Sequence, residues 1–186
     1  MKYNIDRLKQ LYNAGETFKY LFFWGHTPLK DQKTGPFCFS QWYPAAFVVN
    51  GITYPTAEHW MMAEKARLFD DIEIAQKIIS CTNPGEVKKL GRQIKGFNEE
   101  IWTENRFEIV VTGNLHKFTQ HKEFKEYLLN TNERVIVEAS PVDNIWGIGL
   151  AKDSKEIENP NTWKGLNLLG FALMEVRDRI SNNLVL

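Results

Sequence analysis

The sequence predicts an α+β fold, a single compact, mostly helical domain with a few short strands. Three observations lead there. Apolar residues recur at helical spacing through several segments, the strand-like runs are short and lie early or late, and no linker-like stretch, repeat or low-complexity tract divides the chain. At 186 residues, one sizeable core is the economical expectation, so the domain is drawn over 1–186.

Residues 4–13 form a short amphipathic helix, and the aromatic-rich run 18–24 reads as a strand. The loop 26–36 carries Pro, Gly and charge and suits an exposed segment that covers a site. Residues 46–52, with Asn50-Gly51 in the middle, give a strand, a turn and a second strand. A helix over 57–69 follows, capped by Thr56 with Pro55 outside it. Helices are expected at 72–80 and, from the Asn83-Pro84 signal, at 84–94. Asn98 caps a long helix to 119, with Glu99 and Glu100 at its positive end. A short helix spans 122–129, a strand 134–139, and an irregular Pro-, Gly-, Asn- and Asp-rich stretch 140–163. The closing helix, 166–181, carries Leu166, Leu169, Leu173, Val176 and Ile180 on one face.

Composition narrows the function classes. Hydrophobic residues are 43% and charged residues 25%, ordinary for a globular domain. The 23 basic and 23 acidic residues cancel, so no global field points to long nucleic acid or an anionic membrane. Two cysteines and four scattered histidines show no zinc-site spacing, so no metal and no cofactor are expected. The first residues lack the apolar core of a secretory leader and no run approaches 18 apolar residues; a cytoplasmic protein without membrane contact is the expectation. Aromatic residues, 13% with six Trp, serve a core or stacking surfaces for bases.

Three constellations carry chemistry. On the helix at 57–69, Glu58 and Lys65 project within about 20° of each other, about 10 Å apart along the axis. Met61 and Leu68 flank that line on one side, Met62 and Phe69 on the other, while His59, Ala63 and Arg67 fall on an opposite, wetter side. Two opposite charges in one apolar stripe are either separately paired at a core edge or the lining of a pocket. On the long helix, Trp102, Ile109, Val110 and Gly113 share a stripe into which Arg106 and Lys117 project. Gly113 admits either a neighbouring helix, with the cations snorkelling to solvent, or a phosphorylated planar ligand held by charge and ring. After the strand ending at Glu138, a loop presents Asp143 beside Trp146, Gly147 and Gly149. It reads as a ligand-facing loop whose glycines let a ligand lie on backbone, or as an Asx turn with a core-plugging Trp.

Together these segments resemble the NADAR (YbiA-like) family. The resemblance rests on Phe23-Trp24-Gly25, Phe39-Ser40-Gln41-Trp42, the Glu58 to Lys65 helix, Trp102 and Lys117-Phe118. It continues through Val137-Glu138, Asp143, Trp146-Gly147-Ile148-Gly149, and Asn167-Leu168-Leu169-Gly170 with Arg177. Gln41 is a departure, standing where many members have Asn. The resemblance implies a compact, mostly helical α+β fold. It also implies hydrolysis of the N-glycosidic bond between a phosphorylated ribose and a base-like heterocycle, in ADP-ribosylated guanine or in ribosylamino-pyrimidine phosphates of early riboflavin synthesis. The partner is then a small phosphorylated ribosyl molecule, with ADP-ribosylated nucleic acid as a further form of it.

By the matching positions, the resemblance implies catalytic roles for Glu58, Lys65 and Asp143. It places Phe23, Trp24, Gly25, Trp102, Arg106, Lys117, Trp146 and Gly147 around the substrate. Lys65, among apolar neighbours, has its ammonium disfavoured by desolvation, which suits a Schiff-base nucleophile; a plain cation for phosphate is the other role. The rival classes are a non-catalytic reader of ADP-ribose or a related nucleotide and an interaction protein whose stripes are only core.

Overall fold

Side-chain caps fix where the helices begin. In the computed structural model, which describes residues 2–28 and 33–183, Asn4 caps α1 (Ile5–Asn13), Thr56 caps α2 (Ala57–Leu68) and Asp71 caps α3 (Ile72–Ser80). Asn83 caps α4 (Pro84–Leu90) and Asn98 caps α5 (Glu99–Gln120). Each side-chain oxygen accepts from an amide that has no partner inside its helix. Among the described residues, α6 (Lys122–Leu129) and α7 (Leu168–Ser181) complete the helices. The strands are β1 (Tyr20–Phe23), β2 (Phe47–Val49), β3 (Ile52–Tyr54) and β4 (Val135–Glu138). The architecture is helix-dominated α+β. Part of the loop expected at 26–36, residues 29–32, lies outside the described residues.

The chain divides into two units. The first takes Met1–Ser40 and Glu123–Leu186, and the second is Gln41–Lys122. In the first, β1 and β4 pair in parallel with Tyr20 opposite Val135 and Phe23 opposite Glu138. Parallel strands need a crossover, and here the crossover includes the whole second unit. α7 packs on β4, and it begins two residues later than its apolar pattern suggests. Asn167 is the reason. It is left-handed (φ 54) and fully buried, and its side chain accepts from Glu138 N at 3.0 Å while donating to Ile136 O at 2.9 Å. The amide thus serves β4 as a neighbouring strand would, and Leu166 is left exposed rather than on the buried face. Arg177, buried on α7, donates from Nη1 to Thr131 Oγ1 at 2.8 Å and Arg134 O at 2.9 Å, fixing the turn that enters β4.

In the second unit, β2 and β3 form an antiparallel hairpin across Asn50-Gly51, whose φ values of 50 and 78 are those of a type I′ turn. Gln120, at the end of α5, pairs with both backbone groups of Val48 at 2.8 Å and so occupies the strand's outer edge. α4 stops at Leu90, short of the expected 94, because Gly91 packs against Met62 of α2, where a Cβ would collide with the sulfur. α2 is buried on nearly every side. His59 and Ala63, expected on a wetter face, are both fully buried; α3, α4 and α5 all pack on this helix.

Gly113 is occupied by protein. A Cβ there would lie 2.7 Å from Trp60 Nε1, which donates to Ile109 O at 2.8 Å. The glycine therefore admits α2 against α5. Gly113→Ala gains about 1 kcal/mol of helix propensity but overpacks Trp60 at a cost of about 1–3 kcal/mol. The expected result is a lower denaturant midpoint with an unchanged m-value, measured by urea unfolding.

Candidate active site

α2 delivers Glu58 and Lys65 from opposite ends. Glu58 occupies the first turn, is 3% exposed, and gives its backbone N–H to Gln41 O at 2.9 Å. Lys65, in the last turn, is half-buried and reaches the connection between α4 and α5. Its Nζ donates to Gly91 O at 3.0 Å and stands 4.2 Å from the Phe97 ring centre and 5.4 Å from that of Trp102. The aromatic faces and one carbonyl replace water around the amine. Burial pushes its pKa below the ordinary 10.5, while the Glu99 carboxylate pulls the other way. The flanking residues expected to desolvate it, Met61, Met62, Leu68 and Phe69, are its neighbours on the helix; Phe97 and Gly91 come from elsewhere in the chain.

The α5 stripe is as expected in composition. Trp102, Arg106, Val110, Gly113 and Lys117 are all buried, and Ile109 is half-buried. Arg106 faces Glu99 at 3.8 Å, so one carboxylate sits near both Arg106 and the Lys65 amine. Lys117 has no exposed surface and lies near the rings of Phe118, 5.5 Å, and Tyr43, 6.0 Å. A fully buried ammonium is costly without compensation, which argues against a snorkelling role. The second unit thus brings together Glu58, Lys65, Trp102, Arg106 and Lys117 on two packed helices, with Lys65, Trp102 and Arg106 clustered around Glu99.

His59 shares the first turn of α2 and takes no part in that cluster. Its Nε2 lies 3.0 Å from Cys81 O, and Nδ1 2.8 Å from Thr56 Oγ1. A carbonyl only accepts, so Nε2 carries the hydrogen and Nδ1 accepts from the Thr56 hydroxyl. The ring is a neutral tie between the start of α2 and the end of α3.

The first unit holds the other six residues. Phe23 is buried at the end of β1 and meets Phe39 edge-on at 5.5 Å. Trp24 follows, 60% exposed, and then Gly25 with φ 77 and open space where a Cβ would be. The carboxyl end of β4 lies alongside, since Ala139 N donates to Phe23 O at 2.8 Å. From there the loop carries Asp143, whose Oδ1 accepts from Ile145 N at 2.9 Å and Trp146 N at 2.7 Å. This is an Asx turn, and it sets the course of the Trp146 backbone. Trp146 is half-buried.

The two glycines of the loop differ from expectation. A Cβ on Gly147 would lie 2.9 Å from Glu138 O and 3.0 Å from Asp143 O; at Gly149 (φ 67) it would collide with Asn144. Their missing side chains admit protein, the Glu138 and Asp143 carbonyls at Gly147 and the Asn144 and Lys164 side chains at Gly149, so the loop is folded by close packing on its own surroundings. Among the described residues, no cluster of three His, Cys, Asp or Glu gathers as metal ligands, and no helix is long and apolar enough to cross a membrane.

The fold and these residues define a class of helix-rich α+β proteins with a desolvated lysine on a buried helix. The NADAR domain profile matches residues 22–181, running through both units, and the chain belongs to the NADAR family. It is 44% identical over 168 residues to a protein of Acanthamoeba polyphaga mimivirus named an N-glycosidase, covering 88% of this chain and 97% of that one. It is 33% identical over 135 residues to a chloroplastic riboflavin biosynthesis protein of Zea mays, covering 69% of this chain and 20% of that longer one. The solution structure of the E. coli protein YbiA superposes with a TM-score of 0.71 at 24% identity, over 90% of this chain and 88% of that one.

Burial lowers the His59 pKa below 6.5, against a smaller upward pull from Cys81 O, and burial lowers His116 as well. The unfolded chain then takes up protons that the folded chain resists, so stability is complete above pH 6.5 and declines as pH falls below it. Melting followed between about pH 5 and 8 is expected to show this decline. His59→Gln flattens part of it, leaving the share of His116.

Proposed function

We propose that the chain hydrolyses the C–N bond between a phosphorylated ribose and a base-like heterocycle, as an N-glycosidase working through Lys65. The enzyme class is that of its relatives named N-glycosidases. The substrate class includes ADP-ribosylated guanine and ribosylamino-pyrimidine phosphates; the likeness to a riboflavin biosynthesis protein supports the latter. The unbroken family match supports treating the chain as one domain.

One observation carries the mechanism. The Lys65 amine is half-buried beside two aromatic rings and a carbonyl, and burial lowers its pKa from the ordinary value, which raises the share of neutral, nucleophilic amine. The sugar ring opens as its oxygen takes a proton, leaving an iminium at C1. Lys65 Nζ adds there, a proton passes to the base nitrogen, and that nitrogen leaves as the C1–N bond breaks. The resulting Schiff base joins C1 to Lys65. Water adds to C1, the C–Nζ bond breaks, and free aldehyde sugar and free lysine return. Glu58 is the proton carrier in this scheme. Arg106 and Lys117 supply positive charge for phosphate, and Trp102 a stacking face. Within the first unit, Phe23, Trp24, Gly25, Trp146 and Gly147 are the positions the family resemblance assigns to substrate, with Trp24 the most exposed ring, and Asp143 is the further carboxylate it assigns to catalysis.

Mass-spectrometric product analysis with ADP-ribosyl-guanosine, a ribosylamino-pyrimidine phosphate and NAD tests the reading. Release of free base or nucleoside with sugar phosphate is expected. Loss of about 10²-fold or more in kcat is expected for Glu58→Gln and for Lys65→Ala. Borohydride should trap a sugar adduct that Lys65→Ala abolishes; near-normal turnover in that variant would exclude the covalent route. Intact substrates that nevertheless bind would mark a nucleotide reader instead.

The pH profile gives an independent check. Because the free amine reacts, kcat/KM rises with pH through a limb whose midpoint lies below the ordinary lysine value of 10.5. Glu99 favours the ammonium, so Glu99→Gln moves this limb further toward acid.

A further inference from the structure

The first unit holds a cavity of about 520 Å³ lined from α1, the turn between α6 and β4, and α7. That volume is within the range of small-molecule sites. The cavity lies at the amino end of β4, where Val135 lines it, whereas the Asp143 loop leaves β4 at its carboxyl end after Glu138. Three steps along a strand are about 10 Å. No residue used by the glycosidase reading lines this cavity.

Its lining mixes two chemistries. Leu8 and Leu11 of α1, Phe18, and Phe171 and Met174 of α7 make it apolar, while Lys2, Arg7, Arg177, Glu133 and Asp178 bring charge. Asp178 is already engaged, because its Oδ2 accepts from the Lys2 ammonium and, at 2.7 Å, from the Tyr3 hydroxyl. Arg177 is not matched in the same way. It is 6% exposed, and its close hydrogen bonds both leave from Nη1, to the neutral acceptors Thr131 Oγ1 and Arg134 O. Among the described residues, no carboxylate makes an ion pair with it. Burial pushes its pKa below the ordinary value, against smaller upward pulls from Tyr3, Asp178 and Glu133. Arginine keeps its proton in proteins, so the shift records a buried positive charge that its surroundings undercompensate.

A buried guanidinium in the wall of a largely apolar cavity favours a ligand that brings negative charge on an apolar body. The planar fork of arginine suits a carboxylate or a phosphate. Glu133 and Asp178 in the same lining repel a dianion about twice as strongly as a monoanion, which selects the carboxylate. Arg7, exposed and bonded through Nη1 to Gln10 Oε1 at 3.0 Å, adds positive charge at the rim. We propose that this cavity binds a monocarboxylate with an extended apolar body, its carboxylate on Arg177 and its hydrocarbon among Leu8, Leu11, Phe18, Phe171 and Met174. The site is separate from the chemistry at Lys65 and stands independently of the glycosidase reading.

Calorimetric titration of the full chain with decanoate, decanol, decylammonium and decyl phosphate, each below its micelle concentration, is the test. Decanoate is expected to bind one-to-one and about tenfold or more tighter than the other three. Arg177→Gln is expected to weaken decanoate to the level of decanol. Because Arg177 also holds the turn into β4, that variant can lose stability, and Arg7→Glu at the exposed rim gives a second reading. It is expected to weaken decanoate about threefold and leave decanol unchanged. Equal affinities for decanoate and decanol overturn the proposal, as does the absence of binding by any probe. Decanoate binding that Arg7→Glu leaves untouched places the ligand elsewhere and overturns it too. Tighter binding of decyl phosphate than of decanoate overturns the choice of a carboxylate.

Discussion

Removing a charged or polar side chain from water costs several kcal/mol unless the protein supplies a partner, and α2 carries several such side chains while being buried on nearly every side. Much of the second unit follows from meeting that cost. His59 is satisfied by Thr56 and Cys81, Arg67 by Glu64 and the Tyr54 hydroxyl, and Lys65 by Gly91, Phe97 and Trp102. These partners come from α2 and its cap, the hairpin, the end of α3, the α4–α5 connection and α5. The packing that makes α2 a core helix also desolvates the amine that the proposed chemistry uses.

Local signals made the helix starts legible: Thr56, Asn83 and Asn98 cap where their side-chain chemistry says they should, and Asn50-Gly51 turns the hairpin. Helix ends and faces were less so, because tertiary contacts decide them. The end of α4 depends on Met62 reaching Gly91, and the start of α7 on Asn167 reaching β4. The wet face expected for His59 disappears because α2 is packed from several directions, which a single helical wheel cannot show.

The site was legible to a similar depth. The stripe of Trp102, Arg106 and Lys117 followed from spacing alone, and all three are buried. The surroundings of Lys65 did not follow, since Gly91, Phe97 and Glu99 carry no motif that points at a lysine far back in the chain. At Gly113, Gly147 and Gly149 the sequence admitted either ligand or protein as the neighbour, and in all three the neighbour is protein. A glycine reports close approach without naming what approaches.

The parallel pairing of β1 with β4 has a consequence for synthesis. β1 leaves the ribosome early with its edge unsatisfied, and its partner is translated only after the whole of Gln41–Lys122. The hairpin and helices of the second unit can assemble from contacts that are closer in sequence, as domains commonly do during translation. The nascent chain therefore passes through a stage in which the machinery around Lys65 can form while an aromatic strand, Tyr20 to Phe23, is still waiting. Closing so distant a strand pair is slow, and until it closes that strand is the exposed edge against which a chaperone would have to guard.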